Sequence, residues 1–473
     1  QGSNLAGPDQ EGGTYDQYQD AFPEITLTEL SKYDYEGTKP EGEAGVLKTD
    51  TEIQDHVVDG EVTRERFQAA LTGEDGSENY ISPDPSMTYQ EYYNSLVDAV
   101  KEAISEAQNL YLEEGTAEYL LLDVYEGNCT MDEFLDQWTD IELCTYVLGA
   151  GRITQLFTGN TTDAEGEASS DGVQGIERLG VPAFSVSDGP NKVGTSNGCV
   201  TTAWPCGTNR AQTWNEELIY QLGQASGYEC LAGSTEMLLG PALNIHRNPL
   251  CGRNYEYFSE DPVVSGVMAA ALTAGIQESG CGVVLKHFAA NQTEGENNDR
   301  WNKLDSVMSE RTLREIYLKG FEIVIENADP YGIMTAYNMV NGKYASCADE
   351  LLQIAKEEWG FDGVSMTDWS GDWGNPVTMF QTATDLGMPA NLYMLAYIYN
   401  ALTISQEEGR GLSYREAGGD FDVGKMLTRE DLEAAAANTL NTTMELRVFA
   451  DYYGLDYDEI NDYTTTSQFD VTK

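Results

Sequence analysis

Five short apolar runs in this chain end in residues that can do chemistry. Asp368 closes one of them: in FDGVSMTDWS a carboxylate and then Trp369 follow directly on an apolar, β-branched run. Asp188 ends VPAFSVSD, and Lys286 and His287 end CGVVLKH. Tyr337 ends YGIMTAY, and Arg253 follows EMLLGPALNI, with His246 and Arg247 just upstream of it. Brought onto one rim, these types suit a polyhydroxylated ring. Carboxylates accept from pairs of hydroxyls, while Arg, Lys and His donate. An indole offers a flat apolar face to the C–H side of a sugar. A carboxylate in that company can attack a glycosidic carbon. No G-x-S-x-G elbow, dinucleotide fingerprint or phosphate loop is present, so serine-hydrolase and nucleotide chemistry are not indicated.

Each residue also has a plainer reading. Asp368 on its own is an aspartate at a strand end, and His287 a satisfied core histidine. Arg253 has Glu256 and Glu260 within pairing reach, and Trp369 can fill core. For His246, bracing a loop by hydrogen bonds is the better reading. Cys251 reads as structural, since its thiol has no paired base in the motif.

Something must hold these residues together. From about 181 onward, apolar runs alternate with helical stretches such as 309–327, where Leu313, Ile316, Tyr317, Phe321 and Val324 share a face and Ser309 can cap. Such alternation means parallel strands covered by helices. Five or more units across some 260 residues favour a closed barrel. The expected fold is therefore α/β: a (β/α)8 TIM-like barrel with an irregular N-terminal extension. Residues 1–128 form that extension, with one helix near 88–113 on the stripe Leu96, Val100 and Ile104. Residues 129–450 form the barrel, and 451–473 an acidic, Tyr/Thr-rich tail. Thr130 and Glu133 make a capping box for a helix through about Leu148. Thr428 caps a last helix to about Val448.

Composition narrows the partners. The 473 residues carry 80 acidic against 26 basic side chains, a net charge of −54. Such a chain repels nucleic acid and anionic membrane and wears a heavily solvated acidic surface. No window reaches the apolar length of a membrane span. Eight cysteines without C-x-x-C pairs and only three histidines argue against a zinc cluster, and Cys144 and Cys281 sit in apolar segments as small hydrophobes. No metal and no cofactor are expected, and the redox compartment stays open.

Longer strings carry a family resemblance. GPALNIHRNPLCGRNYEYFSEDP (240–262), KHFAANQTE (286–294), SERTLREIYLKGFE (309–322), MTAYNMVNGKYAS (334–346) and EEWGFDGVSMTDW (357–369) resemble the barrel domain of glycoside hydrolase family 3, of the β-glucosidase type. The resemblance runs over about 130–450. It implies Asp368 as the catalytic nucleophile. It implies Asp188, Arg253, Lys286 and His287 as ligands of the non-reducing sugar, Tyr337 beside the nucleophile and Trp369 at the border of the next subsite. The implied activity is a retaining exo-β-glycosidase acting on terminal sugars, and the implied site is extracellular or at the cell surface, with the cytoplasm as the alternative. Arg253 and Lys286 should keep Asp368 ionised.

The sequence departs from the pattern in three ways. The family's acid/base is a Glu on a separate α/β sandwich, and no sandwich is legible here. TELSKYDYEGTKPEGE (28–43) resembles the linker of members with reversed domain order. A piece of a larger enzyme is thus expected, with the sandwich as a second chain or domain. The N-acetylglucosaminidase branch, which uses a loop His, is disfavoured because its loop pattern is missing. The run after KHF is longer than usual, leaving Arg300 an uncertain ligand, and Lys192 replaces a usual Gly after Asp188. A non-catalytic sugar-binding barrel and a subunit active only in a hetero-complex are the competing functions.

Overall fold

The structure is a computed structural model that describes residues 52–55, 86–87, 89–111, 117–149, 172–195, 199–249, 251–292, 304–369, 371, 375–413, 416–417 and 422–460. Ten strands lie among them: β1 (Glu52–Asp55), β2 (Gly172–Val173), β3 (Phe184–Asp188), β4 (Met237–Ala242), β5 (Gly282–Phe288), β6 (Leu304–Val307), β7 (Gly332–Thr335), β8 (Met339–Val340), β9 (Lys343–Tyr344) and β10 (Val364–Thr367). One sheet runs β10-β7-β5-β4-β3-β2, and its first five strands are parallel. β4, β5, β7 and β10 are buried along their whole length, which is why they read as unbroken apolar runs rather than alternating ones.

The expected closed eightfold barrel is not what these strands form. They make a curled half-barrel, and both rims depart from the parallel pattern for local reasons. On one side, β2 runs antiparallel to β3 and is two residues long. On the other, the chain beyond β10 forms no named strand among the described residues; it meets β10 through the Met366–Leu386 bridge and bonds to Ser365 and Thr367, and the Gly387 amide reaches the Val147 carbonyl at 2.8 Å. Ala383 has a positive φ and Pro389 has no amide to donate, so a longer ladder cannot grow there.

Helices cover the sheet. Glu216–Ala232 and Pro262–Glu278 approach backbone to backbone: a Cβ on Gly275 would lie 2.1 Å from the Tyr220 carbonyl, and one on Gly223 2.4 Å from that of Leu272. Ser309 caps its helix through the Thr312 amide, as expected.

Other boundaries differ from the sequence reading. The Thr130–Glu133 box opens a helix that stops at Leu135, and a second box, Thr139–Glu142, opens Asp140–Tyr146. Trp138 turns into the core between Phe134 and Tyr146. The carbonyls of Leu135 and Trp138 that the break frees are taken by the Arg429 guanidinium. The Thr428-capped helix ends at Glu445, because buried Leu446 is extended, and Arg447–Tyr453 follows as a separate helix. Tyr453, Leu455 and Ile460 then pack on the core, so the chain just past 450 does carry a core pattern. In the extension, the helix expected near 88–113 spans Tyr89–Tyr111 and buries Val97, Val100 and Ile104. β1, read as loop in the sequence, pairs antiparallel with β6. Cys144 and Cys281 are buried, as small hydrophobes are. The linker-like stretch 28–43 and Arg300 lie outside the described residues.

Candidate active site

Parallel strands present their C-terminal ends on one side, and the chemistry collects there. Asp188 is the last residue of β3, Asp368 follows β10 and Tyr337 stands two residues after β7. Arg253 sits in the turn-rich loop after β4. Lys286 and His287 belong to β5 itself. Neighbours on a regular strand face opposite ways. Here the β5–β7 register shifts between Leu285 and Phe288. This irregularity lets consecutive side chains serve the same mouth.

Lys286, 3% exposed, donates to Asp188 Oδ1 at 2.8 Å, while the Asp188 side chain stands open to solvent at the rim. The Lys286 charge, joined by that of Arg253, holds the Asp188 carboxyl below the usual carboxylate range. Deeper in, Asp368 Oδ1 accepts from the Trp369 amide at 2.7 Å. Asp368 Oδ2 has no hydrogen-bond partner among the described residues, and His287 Nε2 stands 3.5 Å from it.

The electrostatics of Asp368 set burial against the cations named from the sequence. Burial pushes its carboxyl up from the ordinary value. Arg253, Lys286, the Trp369 amide and the Tyr337 hydroxyl all pull it down, yet they only partly offset the loss of water. His287 is completely buried, and burial together with Arg253 and Lys286 drives its pKa well below the ordinary value. Its imidazole is therefore neutral.

The competing readings sort themselves. Arg253 does pair through Nε with Glu256, and its charge also reaches Asp188 and Asp368. His246 braces its loop, its Nε2 lying 2.8 Å from the Asn254 carbonyl. Trp369 is partly buried against the core and serves Asp368 through its backbone. Lys192 is exposed, and the loop around it is closed by the Gly194 amide on the Asp188 carbonyl, 2.7 Å.

Sequence reasoning missed a buried polar set behind His287. Asn244 grips the His287 backbone on both sides, its Oδ1 accepting from the amide and its Nδ2 donating to the carbonyl, each at 2.8 Å. Tyr257 Oη lies 3.4 Å from His287 Nδ1 and accepts from Asn291 Nδ2 at 3.3 Å. All three side chains are buried. Only Asn244 left a signal in the sequence, as a polar residue inside an otherwise apolar string. Among the described residues, no cluster of metal-ligand side chains is present and no helix is long and apolar enough to cross a membrane.

Comparison with known proteins agrees with this geometry. Residues 147–391 match the glycosyl hydrolase family 3 N terminal domain. A beta-glucosidase of Ruminococcus albus is 35% identical over 83% of the chain, and an exo-alpha-(1->6)-L-arabinopyranosidase of Bifidobacterium longum is 39% identical over 42% of it. The chain spans only 40% and 28% of those two proteins. Among solved structures, beta-glucosidase 3B from Thermotoga neapolitana in complex with glucose superposes with a TM-score of 0.57 at 34% identity, covering 71% of this chain and 46% of its own. A beta-glucosidase from Paenibacillus barengoltzii gives 0.58 at 30% identity, covering 74% and 37%. With more than half of its length matched by the family's N-terminal domain and the family's strings lining one mouth of the sheet, this chain belongs to glycosyl hydrolase family 3.

Proposed function

We propose that this chain is the sugar-binding and nucleophile-bearing part of a retaining exo-β-glycosidase, of the β-glucosidase type. The observation that carries the reading is Asp368. It is a buried carboxylate with one oxygen fixed by a backbone amide and the other without a hydrogen-bond partner among the described residues, with Arg253 and Lys286 close enough to oppose its protonation. Asp188 and Lys286 at the rim offer an acceptor and a donor to the hydroxyls of a terminal ring. That would seat the ring with its anomeric carbon toward Asp368 Oδ2. Attack by Oδ2 forms a glycosyl ester and breaks the glycosidic bond. Water then attacks the same carbon from the face the aglycone left, and the anomeric configuration is retained.

A second carboxyl group must protonate the leaving oxygen and later deprotonate the water. The charges that bear most on Asp368 are cations. Asp188 is held ionised by Lys286, and Glu256 is engaged by Arg253. Asp188 thus lacks the raised pKa that a general acid needs. The proposed source is a Glu on an α/β sandwich, in the same protein or in a partner. The names of the relatives support a glucosidase, while the arabinopyranosidase shows that the sugar is not fixed by the family.

This division of labour has a kinetic signature. A 2,4-dinitrophenyl β-glucoside needs no acid to lose its leaving group. The chain alone should release about one equivalent of dinitrophenolate in a burst and then stall. Azide should relieve the stall and yield the β-glucosyl azide. No burst, or the α-azide, would contradict the proposal. A burst seen only after a sandwich-bearing partner is added would favour the hetero-complex.

A further inference from the structure

We propose that Tyr257 and Asn291 set the tautomer of His287, so that Nε2 carries the ring proton and presents a donor to the cleft beside Asp368. The argument starts from the Asn244 amide. Its orientation is fixed by two 2.8 Å bonds to the His287 backbone, oxygen to amide and nitrogen to carbonyl. Oδ1, 3.3 Å from His287 Nδ1, is therefore an acceptor and can only receive a proton from that ring nitrogen. Tyr257 Oη, 3.4 Å from the same nitrogen, is the group in reach that can give one. Asn291 Nδ2 donates to the phenol oxygen at 3.3 Å, which fills one of its lone pairs and directs the hydroxyl's own proton away from Asn291, toward His287 Nδ1.

The other ring nitrogen decides between them. Among the described residues Nε2 is buried without a hydrogen-bond partner, and 3.5 Å away is Asp368 Oδ2, which has none there either. A lone pair on Nε2 would face the lone pairs of a carboxylate oxygen in a water-poor site, where repulsion is strong. A proton on Nε2 removes that conflict, and Nδ1 then accepts from Tyr257. The resulting chain of donors runs Asn291, Tyr257, His287, Asp368. The separation at Nε2 is longer than a good N–H···O bond of roughly 2.7–3.2 Å. Oδ2 thus keeps its lone pairs while the N–H dipole favours its charge.

Tyr257 and Asn291 are positioning residues here, since each acts through the His287 ring. Their consequence for sugar chemistry rests on the function proposed above. With Nε2–H the histidine donates to a ring oxygen or hydroxyl, and with the opposite tautomer it can only accept.

The test reads the tautomer directly, whether or not Asp368 reacts. The chain has three histidines, so a protein labelled with 15N-histidine gives three ring-nitrogen pairs in long-range proton–nitrogen NMR. His56→Gln and His246→Gln variants identify the other two. In the unsubstituted protein, His287 should show a protonated Nε2 and a bare Nδ1. In Tyr257→Phe, which keeps the ring and loses only the hydroxyl, the proton should move to Nδ1 and onto Asn244. Formation of the fluoroglucosyl ester at Asp368 should slow about tenfold in that variant, equivalent to about 1.4 kcal/mol. A protonated Nδ1 in the unsubstituted protein would overturn the proposal by itself. An unchanged tautomer in a folded Tyr257→Phe protein would do the same. Loss of labelling with the tautomer as proposed would instead count against the glycosidase reading.

Discussion

At the residue scale, Asp368 is a contest between lost water and gathered positive charge. Burial raises its pKa, and Arg253 and Lys286 work against that. Removing a cation must favour the protonated form. Lys286→Met is therefore expected to move the acid limb of any Asp368-dependent reaction to higher pH. It also releases Asp188, whose carboxyl Lys286 holds down. The rate of ester formation at pH 5 should fall by about tenfold or more, because a protonated nucleophile does not attack. A pH–rate profile that keeps its acid limb in place would show that Lys286 does not govern Asp368. The residues named from the sequence converge here because each ends an apolar run, and parallel strands put all such ends on one side. The Asn244–Tyr257–Asn291 set was not legible: hydrogen bonds between distant loops leave no spacing pattern behind.

At the scale of elements, buried carboxylates tie the helices to the loops. Asp422 accepts from the Val377 and Thr378 amides, each at 3.0 Å, and from the Thr378 hydroxyl at 2.6 Å. This caps the helix Pro376–Gln381. Burial lifts its pKa from 3.8 to about 6. The folded state therefore holds an extra proton between those values, and stability falls as pH rises through that window. The loss amounts to about 3 kcal/mol once pH exceeds both values. Asp422→Asn should flatten this slope in denaturant midpoints measured from pH 3.5 to 7. An unchanged slope would place the pH dependence elsewhere. Caps were the most legible elements: Ser309, Thr130 and Thr428 begin helices as read. Ends were harder. The break after Leu135 depends on Arg429, nearly 300 residues away, and the rims of the sheet depend on which segments find a partner strand. A periodic pattern shows that strands alternate with helices, not that the last strand meets the first.

At the scale of the whole molecule, a net charge of −54 sets the surface. Like charges repel across a compact body more than along an open chain, and salt screens that repulsion. The melting temperature should rise by several degrees between low and about 0.5 M sodium chloride. A flat or falling response would mean that the acidic surface is already neutralised by pairing. The same molecule spans 40% of the Ruminococcus albus relative.

The account stands most directly on a covalent bond. After incubation with 2,4-dinitrophenyl 2-deoxy-2-fluoro-β-glucoside, peptide mapping by mass spectrometry should find one fluoroglucosyl group, esterified to Asp368 and absent in Asp368→Asn. A label on any other residue, or none from the folded chain either alone or with a sandwich-bearing partner, would contradict it.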